Sequence, residues 1–275
     1  MSRLEGRRRV REVVVEGLVK RYRWFELRTP ALRFGKGLNL ILGPNGSGKS
    51  TLLKIMAGLV HPNAGSVRYV LEGGAELPPA KACGLLGFVA EDVRLPDMRV
   101  SEILEYFSRE GADVAGVAEL MGLKPYMRKR YYELSNGFRR RVQLAIALLA
   151  DAEVIIMDEP FSNVDVLMIA PLKHLVRELG REKVVIITSH IDLNLVPDTL
   201  TVLNQGRVIY HGEAEKLLRG RYLIEVRVGG KVLSVGVDEL NKILREGGGA
   251  GVEVLRIVSE DTSEILQKLI GGGAP

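Results

Sequence analysis

The segment Gly43-Pro44-Asn45-Gly46-Ser47-Gly48-Lys49-Ser50-Thr51 contains the pattern glycine, four residues, glycine-lysine-serine. Glycines let consecutive backbone N–H groups curve round phosphate oxygens, and a helix starting at the end of the loop adds its positive N-terminus. In such a loop Lys49 reaches the β- and γ-phosphates of a nucleoside triphosphate, and the Ser50 hydroxyl binds Mg2+. Further on, Val154-Ile155-Ile156-Met157-Asp158-Glu159 reads as a buried strand ending in two carboxylates. Asp158 is placed to hold Mg2+ through its outer shell, and Glu159 to orient or deprotonate an attacking water. The two segments together imply binding and hydrolysis of a nucleoside triphosphate.

Such residues need a frame. Leu38–Leu42 is a short apolar strand running straight into the glycines, and Ser50–Leu59 carries Leu52, Leu53, Ile55, Met56 and Leu59 at helical spacing. The loop is therefore a strand-to-helix turn. Val154–Met157 and Val184–Thr188 are apolar runs separated by one helical stretch, the pattern of a parallel sheet covered on both faces. That stretch contains Pro171, which predicts a helix starting or kinking there. Residues 10–19 form an N-terminal strand and Leu85–Ala90 another, while residues 101–150 turn helical. In that region Ser101 is a candidate cap, with Ile103, Leu104 and Phe107 inward. Thr201–Leu203 and Arg207–Tyr210 flank Asn204-Gln205-Gly206 as a hairpin. After Arg219 the character changes to a small α+β appendix. It comprises a hairpin about Gly229-Gly230, a helix near 238–245, a strand at Val252–Ile257 and a helix at 262–270. The expected architecture is α/β: a phosphate-loop fold with a mainly parallel core sheet and an N-terminal antiparallel β part. The domain spans 1–219, with a helical subdomain over about 92–150, and the appendix covers 220–275.

Composition removes other classes. The chain has 275 residues, 46% hydrophobic and 27% charged, which is globular composition. One cysteine, Cys83, excludes a disulfide framework and a cysteine-based zinc cluster, and its expected state is buried and inert. The longest run without Asp, Glu, Lys or Arg is residues 55–67, too short to span a bilayer. With no apolar leader at Met1–Glu5, a soluble intracellular protein is expected. The net charge of +5 resides in residues 1–23, which hold eight Lys/Arg against three Asp/Glu; residues 24–275 balance at 31 each. No nucleic-acid partner is expected from such a neutral body. The runs Arg7-Arg8-Arg9, Arg128-Lys129-Arg130 and Arg139-Arg140-Arg141 read first as solvated faces. His61, His174 and His211 share no metal-ligand spacing and read as surface or packing residues.

Leu134-Ser135-Asn136-Gly137-Phe138, 23 residues before Asp158, resembles the Leu-Ser-Gly-Gly-Gln signature of ATP-binding cassette (ABC) ATPases. His190, 31 residues after Glu159, stands where that family carries its switch histidine, and Ser162-Asn163-Val164-Asp165 resembles its D-loop. Tyr22, 21 residues before Gly43, stands at the aromatic that stacks on adenine, with Trp24 and Phe25 either core or pocket. The resemblance covers residues 13–212. It implies a head-to-tail dimer in which each ATP lies between one phosphate loop and the partner's signature. The nucleotide contacts would be Tyr22, residues 43–51, Asp165 and, from the facing copy, Ser135 and Gly137. Glu159, His190 and Glu91 would serve hydrolysis with Lys49, and Ser50, Asp158 and Glu91 would face Mg2+.

Three residues depart from the family pattern. Asn136 replaces a signature glycine and is expected to keep the turn by adopting a left-handed backbone. Phe138 replaces glutamine and removes a polar group near the nucleotide. Glu91 stands where most members carry the Q-loop glutamine. A glutamate there, and a C-terminal extension of this length, resemble the branch that pairs with ABC-2-type exporter permeases. The implied partners are a second copy or a homologous ATPase subunit, and a separately encoded transmembrane permease docking near residues 91–132. The chain would then sit on the cytoplasmic face of the membrane. The alternative is a non-transport ABC ATPase, serving iron–sulfur cluster assembly, the ribosome or DNA maintenance.

Overall fold

The computed structural model describes residues 8–90, 95–162, 164, 166–189, 196–215, 222–228, 231–235 and 252–259. The chain divides into two compact units, residues 1–190 with 197–211 and residues 191–196 with 212–275.

The first unit opens with β1 (Val10–Tyr22), β2 (Phe25–Arg28), β3 (Leu32–Gly35) and β4 (Gly37–Leu42). The phosphate loop leads into α1 (Lys49–Met56), followed by β5 (Ala64–Leu71), β6 (Glu76–Leu77), α2 (Pro79–Ala82) and β7 (Leu86–Val89). Three helices come next, α3 (Val100–Phe107), α4 (Val114–Leu120) and α5 (Asn136–Leu149). Then follow β8 (Val154–Met157), α6 (Val166–Gly180), β9 (Val184–Ser189), β10 (Thr199–Asn204) and β11 (Arg207–Glu213), whose last two residues are counted with the second unit. These strands make one 11-stranded mixed sheet in the order β6-β5-β1-β2-β11-β10-β4-β9-β8-β7, with β3 paired to β1.

The parallel part is β10-β4-β9-β8-β7, as the apolar runs predict, and β4, β8 and β9 are buried on both faces. Register brings the C-terminal ends of these strands to one edge. Leu42 lies opposite Ser189, and Met157 lies between Ile187 and Val89. Ligands of open parallel sheets bind beyond this edge, where loops emerge with free backbone groups. The antiparallel part holds β1 against β2, β3 and β5, and the side chain of Tyr69 ties it to the phosphate-loop helix. Its hydroxyl, fully buried, donates to Met56 O at 2.8 Å at the end of α1.

Several local expectations shift. Ser101 lies inside α3 and the cap position is Arg99, whose N–H donates to Glu102 Oε2 at 2.8 Å. Phe107 ends that helix exposed. The helix carrying Pro171 begins five residues earlier, at Val166, and runs through the proline. Cys83 is exposed, because Ala82 takes the inward place at the end of α2. The hairpin turn Gln205-Gly206 has φ 45° and 75°, the paired left-handed conformation of a two-residue loop.

In the second unit β12 (Tyr222–Val228) pairs antiparallel with both β13 (Lys231–Val235) and β14 (Val252–Ser259). The helices expected near 238–245 and 262–270 lie outside the described residues.

Candidate active site

The phosphate loop leaves the centre of the sheet crowded by its neighbour. A Cβ on Gly43 would stand 2.2 Å from Leu203 O of β10, so only glycine fits where the loop departs. Gly48 has φ 105°, and a Cβ there would meet Phe25 Cζ at 2.9 Å. The hairpin turn after β10 braces the loop from outside, with Gly206 N–H donating to Ser47 O at 3.0 Å. The result is a cavity of about 620 Å3 lined by Tyr22, Phe25, residues 45–51 and Glu159. That size lies within the range of small-molecule sites.

Lys49 is buried, and three oxygens hold its ammonium. Gly43 O accepts at 2.8 Å and Pro44 O at 3.3 Å, while Glu159 Oε1 lies 3.4 Å away as the ion-pair partner. Gly43 and Pro44 therefore contribute carbonyls that aim the lysine and do not themselves line the cavity. Phe25 does line it, whereas Trp24 is 87% exposed under the Arg23 guanidinium and lies off it. Tyr22 is half exposed at the cavity, 6.4 Å from the Phe25 ring centroid.

The carboxylate pair follows β8. Asp158 is buried, with its N–H donating to Val89 O at 2.8 Å. The Thr188 hydroxyl bonds Asp158 Oδ1 at 2.7 Å and receives the Glu159 N–H at 2.8 Å. Glu159 has φ 48°, a left-handed conformation that costs a side-chain-bearing residue free energy and recurs at functional sites. Its carbonyl accepts from the Ser162 hydroxyl at 2.8 Å.

Ser135 and Gly137 stand at the N-terminus of α5, where Ser135 is the cap and its Oγ accepts from Phe138 N at 3.5 Å. Neither lines the cavity of its own chain. Asn136 is the first helical residue and not left-handed. The position needs no positive φ, which explains how asparagine takes the place of glycine. Phe138 packs on Tyr126, ring centroids 4.1 Å apart, and the Arg141 guanidinium lies over the Phe138 ring, 4.5 Å from its centroid. Glu91, Asp165 and His190 lie outside the described residues.

Two residues escaped sequence reasoning. Arg140, within a run read as a solvated face, is 5% exposed. Its guanidinium donates to Ala90 O at 2.7 Å, to Gln143 Oε1 at 3.0 Å and to Asp158 O. The signal was present: Arg140 shares a helical face with Leu144 and Ala147, both buried. Thr188 was counted only as the end of an apolar run. His211 is a packing residue as expected. Its Nε2 accepts the Arg33 N–H at 3.0 Å, so Nδ1 carries the proton and donates to Thr201 Oγ1 at 2.9 Å. Burial pushes its pKa below the ordinary 6.5. Among the described residues no group of His, Cys, Asp and Glu has the makings of a metal cluster.

Comparisons with known proteins bear on the family and the fold. The ABC transporter family model matches residues 32–162. The ABC transporter ATP-binding protein NatA of Bacillus subtilis is 30% identical, over 64% of this chain and 77% of that protein. The molybdate/tungstate import ATP-binding protein WtpC of Thermococcus kodakarensis is 29% identical, over 86% of this chain and 76% of its own. The Nod factor export ATP-binding protein I of Burkholderia orbicola is 34% identical over 71% and 66%. A solved ATP-binding subunit of an ABC transporter shares the fold, with a TM-score of 0.65 at 21% identity over 75% of this chain and 92% of that one. No helix among the described residues is long and apolar enough to cross a membrane. The chain belongs to the ABC transporter family, as an ATP-binding subunit that hydrolyses ATP.

Proposed function

We propose that this subunit closes head to tail on a second copy, or on a homologous ATPase subunit, around two ATP molecules, and thereby drives a separately encoded permease as an exporter. One observation carries the dimer reading. Residues 135–137 do not line the cavity of their own chain, while Ser135 and Asn136 are exposed at a helix N-terminus suited to an anion. Such a surface is complete only when a facing phosphate loop supplies the γ-phosphate.

The chemistry follows from the Lys49–Glu159 pair. An incoming triphosphate would draw the ammonium onto its β- and γ-oxygens and loosen its pairing with the Glu159 carboxylate, which lies 3.4 Å from it. Water then attacks the γ-phosphorus, its proton passes to Glu159, and the bond to the β-phosphate oxygen breaks. Ser50 and Asp158 offer hydroxyl and carboxylate oxygens, a donor set suited to Mg2+, and Asp158 keeps acceptor capacity beyond its bond from Thr188. Glu91 would join them. The cation supplies neutralisation of phosphate charge when bound. Tyr22 and Phe25 offer aromatic faces to the base, while His190 and Asp165 act near the γ-phosphate and at the dimer contact. Release of phosphate removes the ligand shared by the two faces, and the dimer opens.

Residues 1–219 are read as the ATPase domain with its helical subdomain at about 92–150, and 220–275 as an appendix. The permease would dock near 91–132, where Tyr106 and Phe107 are exposed as an edge-to-face pair 5.0 Å apart. Peripheral attachment at the cytoplasmic face follows from that docking. Glu91, the extension after 219 and the likeness to the Nod factor export protein support export; the likeness to WtpC makes import the competing outcome.

The test is affinity capture of Glu159→Gln protein from solubilised native membranes with ATP, followed by mass spectrometry. A stoichiometric polytopic membrane protein is the expected result. A soluble scaffold or a ribosome in its place would select the non-transport alternative. The same variant should bind ATP, accumulate as a dimer in gel filtration and lose about 10²–10⁴ in turnover.

A further inference from the structure

We propose that Thr188 is a positioning residue for hydrolysis, one hydroxyl that sets both Asp158 and Glu159. This rests on the reading of Glu159 as the base. Thr188 is fully buried on β9, the strand beside β8 in the sheet. A hydroxyl has one proton to give and two lone pairs to accept with. Here the assignment is forced by its partners. The Glu159 N–H can only donate, so Thr188 Oγ1 accepts at 2.8 Å; its own proton then goes to Asp158 Oδ1 at 2.7 Å.

The two contacts act on different things. The first holds the peptide entering Glu159, whose φ of 48° is not a conformation this residue type adopts without restraint. The second fixes the rotation of the Asp158 carboxylate. Other groups hold this turn by single points: Val89 O takes the Asp158 N–H, Arg140 reaches the Asp158 carbonyl, and Ser162 bonds the Glu159 carbonyl. Thr188 alone among these joins the backbone of one carboxylate residue to the side chain of the other. Because Thr188 lies on β9, a shift at that strand's end moves both carboxylates together.

Thr188→Val keeps shape and removes the hydroxyl; Thr188→Ser keeps the hydroxyl and removes a methyl. A group hydrogen-bonded to a metal-binding carboxylate, the role proposed for Asp158, is typically worth about 10–100-fold. The expected result for Thr188→Val is a kcat lower by about 10–100-fold, with the ATP Kd from calorimetry within about twofold. Thr188→Ser should stay within about threefold of wild-type kcat. Turnover of Thr188→Val within about threefold of wild type, equal losses in Ser and Val, or a loss confined to ATP affinity would each overturn the proposal. If the valine variant does not fold, Thr188→Ala against Thr188→Ser makes the same comparison. Glu159→Gln run alongside separates the two readings: its inactivity with an active Thr188→Val sinks this inference alone, and its full activity sinks the assignment of the base.

Discussion

Arg140→Met removes a buried cation that joins three segments, and its cost follows from what it leaves behind. The guanidinium donates to Ala90 O, Asp158 O and Gln143 Oε1, while its own side chain is 5% exposed. Once the donors are gone water has little access to Asp158 O and partial access to Ala90 O, which places that carbonyl at the low end of the cost. An orphaned buried acceptor costs about 1–3 kcal/mol, so the two carbonyls together give about 2–6 kcal/mol. Methionine recovers part of this, since its apolar stem escapes the desolvation that a buried charge suffers. A net loss of about 3 kcal/mol is expected, at the low end of the range of about 3–5 kcal/mol for a broken buried ion pair. At about 2–4 °C per kcal/mol for a chain of this size, the midpoint should fall by about 6–12 °C. Far-UV circular dichroism is the suitable readout, because the single tryptophan, Trp24, is exposed when folded and reports little. Arg140→Lys keeps the charge but reaches fewer acceptors, and should fall between wild type and methionine. A loss under about 1 kcal/mol, or a lysine variant as unstable as methionine, would refute the role given to the guanidinium.

Lys49→Ala removes the charge that the triphosphate would take from Gly43 O, Pro44 O and Glu159; calorimetry should show ATP affinity lower by at least about 100-fold, and retained micromolar binding would contradict the site. Tyr22→Ala should weaken ATP by about five- to 150-fold, the worth of one stacked base, while leaving inorganic triphosphate unchanged; equal losses for both would mean that Tyr22 only packs. His211 supplies a pH signature. Its pKa is lowered by burial, so the unfolded chain binds more protons as pH falls through the ordinary 6.5, and stability drops until the folded pKa is passed. Urea midpoints at pH 7.5 and 5 should therefore fall more in wild type than in His211→Gln, and equal falls would remove His211 from the acid response.

The phosphate loop was legible because its requirements are local. A strand, a glycine turn and a helix follow one another within some twenty residues, and each leaves its own periodicity. The strand ahead of Asp158 and Glu159 was legible for the same reason, since a strand covered on both faces must be apolar throughout. Other parts were not. β5 keeps Val67, Tyr69 and Leu71 inward, an alternation hidden by Val70, which is buried as well. Asn136 was expected to be left-handed, and the structure makes it helical because Ser135 is the cap and Asn136 the first residue of α5.

By itself the sequence pointed to an ATP-binding cassette ATPase and placed the strand, glycine turn and helix of the phosphate loop and the apolar strands of the parallel sheet. Only the tertiary structure decided which polar groups are buried against which. Arg140 looks like its neighbours in a run of three arginines, and Thr188 looks like the end of an apolar strand. What separates them is the phase at which α5 and β9 meet the ends of β7 and β8. There they face the main chain of Ala90, Asp158 and Glu159, and water is excluded. A hydrogen bond between residues far apart along the chain leaves no trace in the spacing of either partner, because the distance that matters is set by packing.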